Sequence, residues 1–200
     1  MADLQVKELT LDQAEAIYKK YLKADFPPEE VKPFLIIKQM WKKRNYYAYA
    51  FYESASEGGE DRLCAYAFLM ADHEKRVLLL DYFAVCSQLR GSGYGSRALE
   101  LLREECAQWD GIIVEVEDDE LPGLEEETRN TRKRRIAFYN KAGCHMTTAR
   151  SILWGVEYRI MILPLMDERA QEAAAEKLRS VYRCMYPWKI LQKHFKITAE

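Results

Sequence analysis

Two observations in the sequence predict a fold of the α/β class, and more specifically of the α+β type. Apolar residues recur at helical spacing in two early segments, after which three strand-like stretches follow one another with polar turns between them. The last of these strands leads through a glycine-rich turn into another helix. The predicted element order is β-α-α-β-β-β-α-β-α-β-β, followed by a helical tail.

The first part of the chain is predicted to contain one strand and two helices. Residues 3–9 are extended, and Thr10 can cap a helix over about residues 11–24, because its side-chain oxygen can accept from an unpaired backbone amide. The Asp25-Phe26-Pro27-Pro28 segment breaks that helix. A second helix carries an apolar set: Val31, Phe34, Leu35 and Trp41.

The remaining elements alternate between strands and helices. An antiparallel meander covers residues 46–52, 63–71 and 76–85. Beyond it we expect a helix over about 93–108, a strand over 112–117, an acidic loop over 118–128, a helix that ends at Gly143, and strands over 146–154 and 157–163.

Length and charge limit the classes of function. A chain of 200 residues with 48% hydrophobic residues fits one domain, or one domain with an appendage. The net charge of -2 argues against a general nucleic-acid binder, and no apolar stretch reaches the ~18 residues that span a bilayer. The first residues lack the apolar core of a signal peptide. We therefore expect a cytoplasmic protein with neither a nucleic-acid nor a membrane partner.

Cysteine, histidine and the basic run suggest little chemistry. The five cysteines form no C-x-x-C pair, so reduced and mostly packed thiols are expected, without a metal site. The three histidines lie in scattered contexts and are expected in packing or at the surface. The basic run 132–135 follows an acidic one, which favours a solvated or locally paired helix start.

The most informative segment is the turn Arg90-Gly91-Ser92-Gly93-Tyr94-Gly95. Three positions without side chains let successive backbone N–H groups point inward, and the helix that follows adds the positive end of its dipole. A diphosphate would fit such a site. A Walker loop is excluded because no Gly-Lys-Ser/Thr closes the turn, and the Rossmann spacing G-x-G-x-x-G is absent. A plain strand-turn-helix connection remains an alternative.

The pattern Arg-x-x-Gly-x-Gly in residues 90–95 resembles the coenzyme A pyrophosphate loop of the GNAT N-acetyltransferase superfamily. A second match, Ile-Ala-Phe-Tyr-Asn-Lys-Ala-Gly-Cys over residues 136–144, is similar to the late helix of that superfamily. The element order resembles the GNAT fold over residues 3–165. The sequence departs from the family at Arg132, where many members carry Asn, and at Cys144, where an aromatic residue is usual.

The resemblance implies the GNAT acyltransferase fold, a mixed and mostly antiparallel sheet flanked by helices. It also implies acetyl-CoA as cosubstrate and no metal. The implied coenzyme-binding residues are Phe83, Val85, Arg90, Gly91, Ser92, Gly93, Tyr94, Gly95 and Ser96. In the family, the strand that carries the first two splays from its neighbour and pairs its backbone with the pantetheine arm. A fully paired core strand is the alternative.

The resemblance further implies transfer of an acetyl group from acetyl-CoA directly to a primary amine of a small molecule or peptide. Tyr139 corresponds to the usual general acid. Glu115, in Val-Glu-Val, matches the position where some ribosomal-protein N-terminal acetyltransferases place their base. Asp81 is a further candidate base. A solvated strand-end acid and a packed tyrosine are the alternative interpretations, and a catalytically silent acyl-CoA sensor or an interaction scaffold is the alternative function.

Two acidic loops suggest the acceptor side. In the resembling fold, residues 24–30 would overhang that side and residues 118–127 would lie across from them. The candidate substrate-binding residues are Phe26, Glu30 and Glu117. If the loop acids converge, they would attract a cationic acceptor; solvated loop residues are the alternative. These acids are Asp25, Glu29, Glu30, Asp118 and Asp119.

We assign residues 1–165 to a GNAT N-acetyltransferase domain and residues 166–200 to a helical C-terminal extension. The extension carries an apolar stripe of Ala170, Ala173, Ala174, Leu178, Val181, Tyr182 and Met185. Such a stripe must be covered, by its own domain, by lying over the acceptor cleft, or by a partner subunit. A monomer and a homodimer both fit this pattern.

Overall fold

The computed structural model of the protein describes residues 4–54, 59, 61–167 and 170–198. The chain divides into two compact units. Residues 1–71 and 80–106 form the first unit, and residues 72–79 and 107–200 form the second. This division does not test the predicted boundary between residues 165 and 166, which stays a prediction.

The first unit is built from the early strands and helices. The strands are β1 (Leu4–Glu8), β2 (Tyr46–Glu53), β3 (Arg62–Asp72) and β4 (Val77–Val85), and the helices are α1 (Leu11–Ile17), α2 (Lys23–Asp25), α3 (Phe34–Lys42) and α4 (Tyr94–Glu105). β1 pairs antiparallel with β2, and β2 pairs antiparallel with β3. β4 is the next strand in the sheet.

Thr10 caps the first helix, as the sequence predicts. Its backbone is extended, its side-chain oxygen accepts from the Gln13 amide, and the Gln13 side chain accepts from the Thr10 amide. This reciprocal capping box fixes the residue at which α1 begins. The helix continues through a π-helical turn, Tyr18–Leu22, into α2, so the predicted helix is present with one widened turn.

The second helix differs from its prediction at its start and on its buried face. α3 begins only after Pro33, and Val31 lies before it. A proline disfavours the helical conformation in the residue that precedes it, so the helix cannot begin earlier. Ile37 and Met40 are the buried residues of α3, whereas Leu35 is 64% exposed.

β3 is the buried centre of the first unit. Every residue from Cys64 to Ala71 is buried, as is typical of a strand covered on both faces. The Tyr66 and Phe68 rings meet edge to face, with centroids 6.1 Å apart. β3 therefore gives β4 a rigid neighbour.

The second unit contains the later elements and the start of β4. They are β5 (Gly111–Glu117), α5 (Glu126–Lys141), β6 (His145–Leu153), β7 (Val156–Pro164), α6 (Ala174–Met185), α7 (Trp188–His194) and β8 (Phe195–Thr198). Val77–Leu79 of β4 pair in parallel with Gly111–Ile113 of β5. β5 pairs antiparallel with β7, and β6 pairs antiparallel with both β7 and β8.

Over the described residues, the strand order is β1-β2-β3-β4-β5-β7-β6-β8. A parallel ladder between β4 and β5 thus lies among antiparallel ladders. The prediction of a mixed, mostly antiparallel sheet is confirmed.

The last described part of the chain contains two helices, α6 and α7, as predicted for the extension, together with one strand that the sequence did not predict. α6 does bury much of the predicted apolar stripe, including Leu178, Val181 and Tyr182, and it packs against β6 and β8. After α7, however, the chain forms β8, which extends the sheet beside β6. Four residues are too few to show a period of two, so the sequence could not indicate this strand. No helix in the described ranges is long and apolar enough to cross a membrane.

Four of the five cysteines are buried, as expected for packed thiols. They are Cys64, Cys86, Cys106 and Cys144, and no disulfide bond forms among the described residues. Burial raises the pKa of Cys106 to about 12, so this thiol keeps its proton at neutral pH. Its role is packing.

Candidate active site

The turn after β4 has a backbone that requires glycine at two positions. Gly91 has a φ of 80° and Gly93 a φ of 86°, both in the left-handed region. Gly93 is the N-cap of α4 and makes no side-chain cap hydrogen bond. The first amides of a helix have no partner within the helix. The amides of residues 94–96 are therefore suited to binding an anion, and the positive end of the α4 dipole favours it.

The turn is open to a ligand. Gly91, Ser92 and Gly93 are exposed. Apart from the glycine itself and its two chain neighbours, no described residue has an atom within 4 Å of the point where a Cβ would stand on Gly91 or Gly93. Upstream, β4 continues to Val85, beyond the last residue of its ladder with β5 at Leu79. The predicted pantetheine contacts, at positions 83 and 85, lie in this last part of β4.

Arg90 is anchored beside the turn. Its Nε donates to the Val85 carbonyl oxygen at 3.2 Å, and its guanidinium donates to Asp25 Oδ1 at 2.8 Å. The other oxygen of Asp25 accepts from the Tyr66 hydroxyl at 2.9 Å. The Arg90 side chain is still 57% exposed, so part of the guanidinium can meet an anion. The sequence did not reveal this ion pair, because its two residues are 65 positions apart.

Tyr94, the first residue of α4, is also fixed by polar contacts. Its hydroxyl donates to Glu53 at 3.0 Å and accepts from Arg62 at 3.1 Å. Arg62 and Glu53 form an ion pair with each other. These contacts tie the start of α4 to β2 and β3, so the amides of the turn are held in place before a ligand arrives.

Asp81, one of the predicted base candidates, lies in a buried ion pair. Its side chain is 3% exposed, Lys32 Nζ lies 2.6 Å from Oδ1, and the Tyr46 hydroxyl donates to Oδ2. A buried carboxylate needs such partners, because removing a charge from water without compensation is costly. Because the Asp81 side chain is buried and pairs with an ammonium group, an incoming amine has little access to its carboxylate. Its role as a base stays a prediction.

Tyrosine hydroxyls hold the chain between α2 and α3. The Tyr82 hydroxyl donates to the Glu30 carbonyl oxygen at 2.9 Å and accepts from the Lys32 amide at 2.8 Å. Tyr18 donates to the Lys32 carbonyl oxygen at 2.8 Å. The Phe26 ring packs edge-on against Tyr82, with centroids 5.0 Å apart. Phe26 and Glu30, two predicted substrate-binding residues, therefore lie on an anchored loop.

In the second unit, Glu115 lies on β5 with both carboxylate oxygens hydrogen-bonded. The Ser151 hydroxyl donates to Oε1 at 2.9 Å, and the Tyr182 hydroxyl donates to Oε2. Glu115 and Glu117 are half-buried and lie two residues apart on β5, so their side chains point to the same face of the strand. The sequence gave no sign of the roles of Ser151 and Tyr182, because they lie 36 and 67 positions from Glu115.

Glu117, the third predicted substrate-binding residue, is held by α5. It accepts from Arg132 at 3.2 Å and from Arg135 at 2.5 Å. Arg132 also donates to the Asp118 carbonyl oxygen at 2.7 Å. Arg132, which stands where many family members carry Asn, thus connects the end of β5 to α5. The basic run 132–135 is locally paired through Arg132 and Arg135, which is one of the two outcomes expected for it.

The acidic loop after β5 is neutralised by arginines of the same unit. Asp118 pairs with Arg150, Asp119 pairs with Arg159, and Glu120 pairs with both arginines. Asp118 and Asp119 are 3% and 8% exposed. These carboxylates therefore hold the loop together, and the arginines reduce the field that would attract a cation.

Tyr139, the predicted general acid, lies near the end of α5. It is 8% exposed, and its ring lies 5.1 Å from that of Phe138 between centroids. Burial raises the pKa of Tyr139 above its ordinary value of 10.0, because the phenolate would lose its hydration. Its hydroxyl thus keeps its proton at neutral pH and can act as a donor.

Comparison with known proteins gives a family. The model of the acetyltransferase (GNAT) family matches residues 12–144, a range that includes the turn at 90–96, β5 and α5. No curated protein matches the sequence significantly.

Solved structures share the fold at low sequence identity. A protein from Bacteroides thetaiotaomicron, described as an acetyltransferase of the GNAT family, aligns with a TM-score of 0.63 and 21% identity over 91% of this chain and 99% of that one. The ribosomal-protein-S18-alanine N-acetyltransferase from Escherichia coli aligns with a TM-score of 0.55 and 17% identity, over 82% and 94% of the two chains. A Bacillus subtilis acetyltransferase in complex with CoA aligns with a TM-score of 0.51 and 13% identity, over 82% and 99%.

These structural similarities show the fold alone. The family match, in contrast, extends over more than half of the sequence and contains the glycine turn with its open helix start. The mixed sheet and the parallel ladder between β4 and β5 agree with it. The chain belongs to the acetyltransferase (GNAT) family.

Proposed function

We propose that the protein is an acetyl-CoA-dependent N-acetyltransferase that moves an acetyl group directly to a primary amine of a small molecule or a peptide. The turn at residues 90–96 carries this proposal. Its two left-handed glycines leave the first amides of α4 open to an anion. In an acetyltransferase of this family, the diphosphate of coenzyme A is the anion that such a turn would bind.

Backbone groups would contribute more to coenzyme binding than Arg90 does. The amides of residues 94–96 and the α4 dipole are fixed before binding, so they need no reorganisation. Arg90 precedes the turn and has an exposed side chain, but its ion pair with Asp25 would compete with a phosphate for the guanidinium. The backbone of Phe83 and Val85 would pair with the pantetheine arm.

Glu115 is the proposed base and Tyr139 the proposed acid. An alkyl ammonium ion must lose a proton before its nitrogen can attack, and Glu115 accepts that proton directly or through a water molecule. The nitrogen then bonds to the thioester carbonyl carbon, and the C–S bond breaks. Tyr139 protonates the leaving thiolate, and the second proton lost by the nitrogen restores the tyrosine through solvent.

The proposed acceptor is a cationic amine, and Phe26, Glu30 and Glu117 are each proposed as substrate-binding residues. The aromatic ring of Phe26 would give an apolar contact. Because Glu117 and the acids that follow it are paired with arginines, we expect electrostatic attraction of the acceptor to be local and not long-range.

Thiol release from acetyl-CoA, measured with a panel of amines, tests the proposed activity. We expect release with at least one cationic primary amine and no release without an acceptor. Binding of acetyl-CoA without release for any amine would favour the silent sensor, and absence of binding would favour the scaffold. Release only with neutral or anionic amines would contradict the cationic acceptor.

Gly93→Val is expected to weaken acetyl-CoA binding about tenfold or more, which isothermal titration calorimetry can measure. Valine strains a φ of 86°, and its branched side chain would occupy the open space above the turn. Gly155→Val is the matched control, because Gly155 has a φ of 90° and equally open surroundings and belongs to the connection between β6 and β7, outside residues 90–96. Unchanged affinity in a Gly93→Val protein that is folded by circular dichroism would remove the turn from the site.

Glu115→Gln is expected to lower kcat by roughly 10²- to 10⁴-fold, because the base that accepts the proton of the amine is lost. The acidic limb of the pH-rate profile should disappear, while acetyl-CoA affinity stays close to that of the wild type. Asp81→Asn is the comparison. If it produces this loss and Glu115→Gln does not, the base is Asp81.

Tyr139→Phe is expected to lower kcat without changing acetyl-CoA affinity, because the thiolate then leaves without a proton donor. Since burial raises the pKa of Tyr139, its hydroxyl stays protonated as the pH rises toward 10.0, and kcat of the wild type should show no fall from its ionisation below that pH. Steady-state kinetics over this range check both statements. Wild-type turnover by a folded variant would leave Tyr139 with a packing role.

A further inference from the structure

The Glu115 carboxylate receives a different hydroxyl on each oxygen. Ser151 Oγ donates to Oε1 at 2.9 Å, and the Tyr182 hydroxyl donates to Oε2. Ser151 is 2% exposed and Tyr182 is 1% exposed, whereas Glu115 is half-buried. Ser151 and Tyr182 are thus shielded from water, whereas Glu115 is partly exposed to it.

The last part of the chain supplies the Tyr182 hydroxyl and pairs with the strand that carries the Ser151 hydroxyl. Tyr182 lies on α6, outside the residues 12–144 that match the family. Its ring packs against Phe195 of β8, with centroids 4.8 Å apart. β8 pairs with β6 at Ser151 and Leu153, so the same segment also fixes the strand that carries the serine.

Packing alone does not account for the Tyr182 hydroxyl. A phenylalanine would fill the same space against Phe195 without placing a polar atom in the interior, where an unpaired hydroxyl is unfavourable. The hydroxyl is satisfied because it donates to the carboxylate. A donor at each oxygen stabilises the charged form of a carboxylate and limits its rotation.

We propose that Tyr182 is a positioning residue for Glu115: together with Ser151, it keeps the carboxylate ionised and oriented to accept the proton of the acceptor amine. This inference rests on the proposed function, in which Glu115 is the base. The segment after residue 165 is then a working part of the active site, in addition to covering its own domain.

Tyr182→Phe tests the inference, because it removes one donor and keeps the ring. We expect the acidic limb of the pH-rate profile to move to higher pH by about one unit, so that kcat at acidic pH is lower than that of the wild type. Acetyl-CoA affinity should not change. Tyr186→Phe is the matched control at the end of the same helix, where the ring contacts Trp154, and its profile should match that of the wild type. Ser151→Ala removes the other donor and should move the limb in the same direction, which keeps the test valid if Tyr182→Phe does not fold.

A titration that needs no acceptor separates this inference from the proposed function. Carbon NMR of the full chain, labelled at the glutamate carboxyl carbons, follows the ionisation of Glu115, whose signal is assigned with Glu115→Gln. Its midpoint should rise by about one pH unit in Tyr182→Phe and in Ser151→Ala. If Glu115→Gln abolishes turnover but neither variant moves the midpoint or the acidic limb, the inference is overturned and the proposed function stands. If both variants move the midpoint but Glu115→Gln leaves turnover unchanged, the base assignment fails and the catalytic role of Tyr182 fails with it.

Discussion

Carboxylates on the strands β4 and β5 are buried or half-buried, and each of them meets hydrogen-bond donors from other elements. A charged carboxylate loses its hydration when it leaves water, and donors from other elements must replace it. In the first unit, Asp81 meets an ammonium group and a tyrosine hydroxyl. In the second unit, Glu115 meets a serine and a tyrosine hydroxyl. Each acid therefore ties its strand to segments distant in the sequence.

The kind of donor distinguishes the two acids. Lys32 carries a positive charge, so its contact with Asp81 forms an ion pair, and that pair helps to hold the chain before α3. The hydroxyls that contact Glu115 carry no charge, so they orient the carboxylate without cancelling its charge. A base must keep both its charge and an approach for the substrate proton. The half-buried Glu115 satisfies this better than Asp81 does.

The need of carboxylates for partners also accounts for the acidic residues that follow β5. The acids after β5 are numerous, yet arginines of α5, β6 and β7 meet them, including Arg132, which replaces the Asn of many family members. These contacts connect the loop to α5, β6 and β7. If the proposed acceptor is a cation, these ion pairs reduce the long-range attraction that the number of acids alone would suggest.

What the sequence determined by itself is the local structure. Helical and strand periodicity, the Thr10 cap and the glycine spacing at residues 91–95 depend on neighbours within a few positions, so the order of the residues is enough to predict them. The tertiary structure decided which groups meet: Arg90 with Asp25, Asp81 with Lys32, and Glu115 with Tyr182. It also decided that β8 follows α7, since this strand forms by pairing with β6. These partners lie tens of residues apart, and no local pattern specifies a contact that only the folded sheet creates.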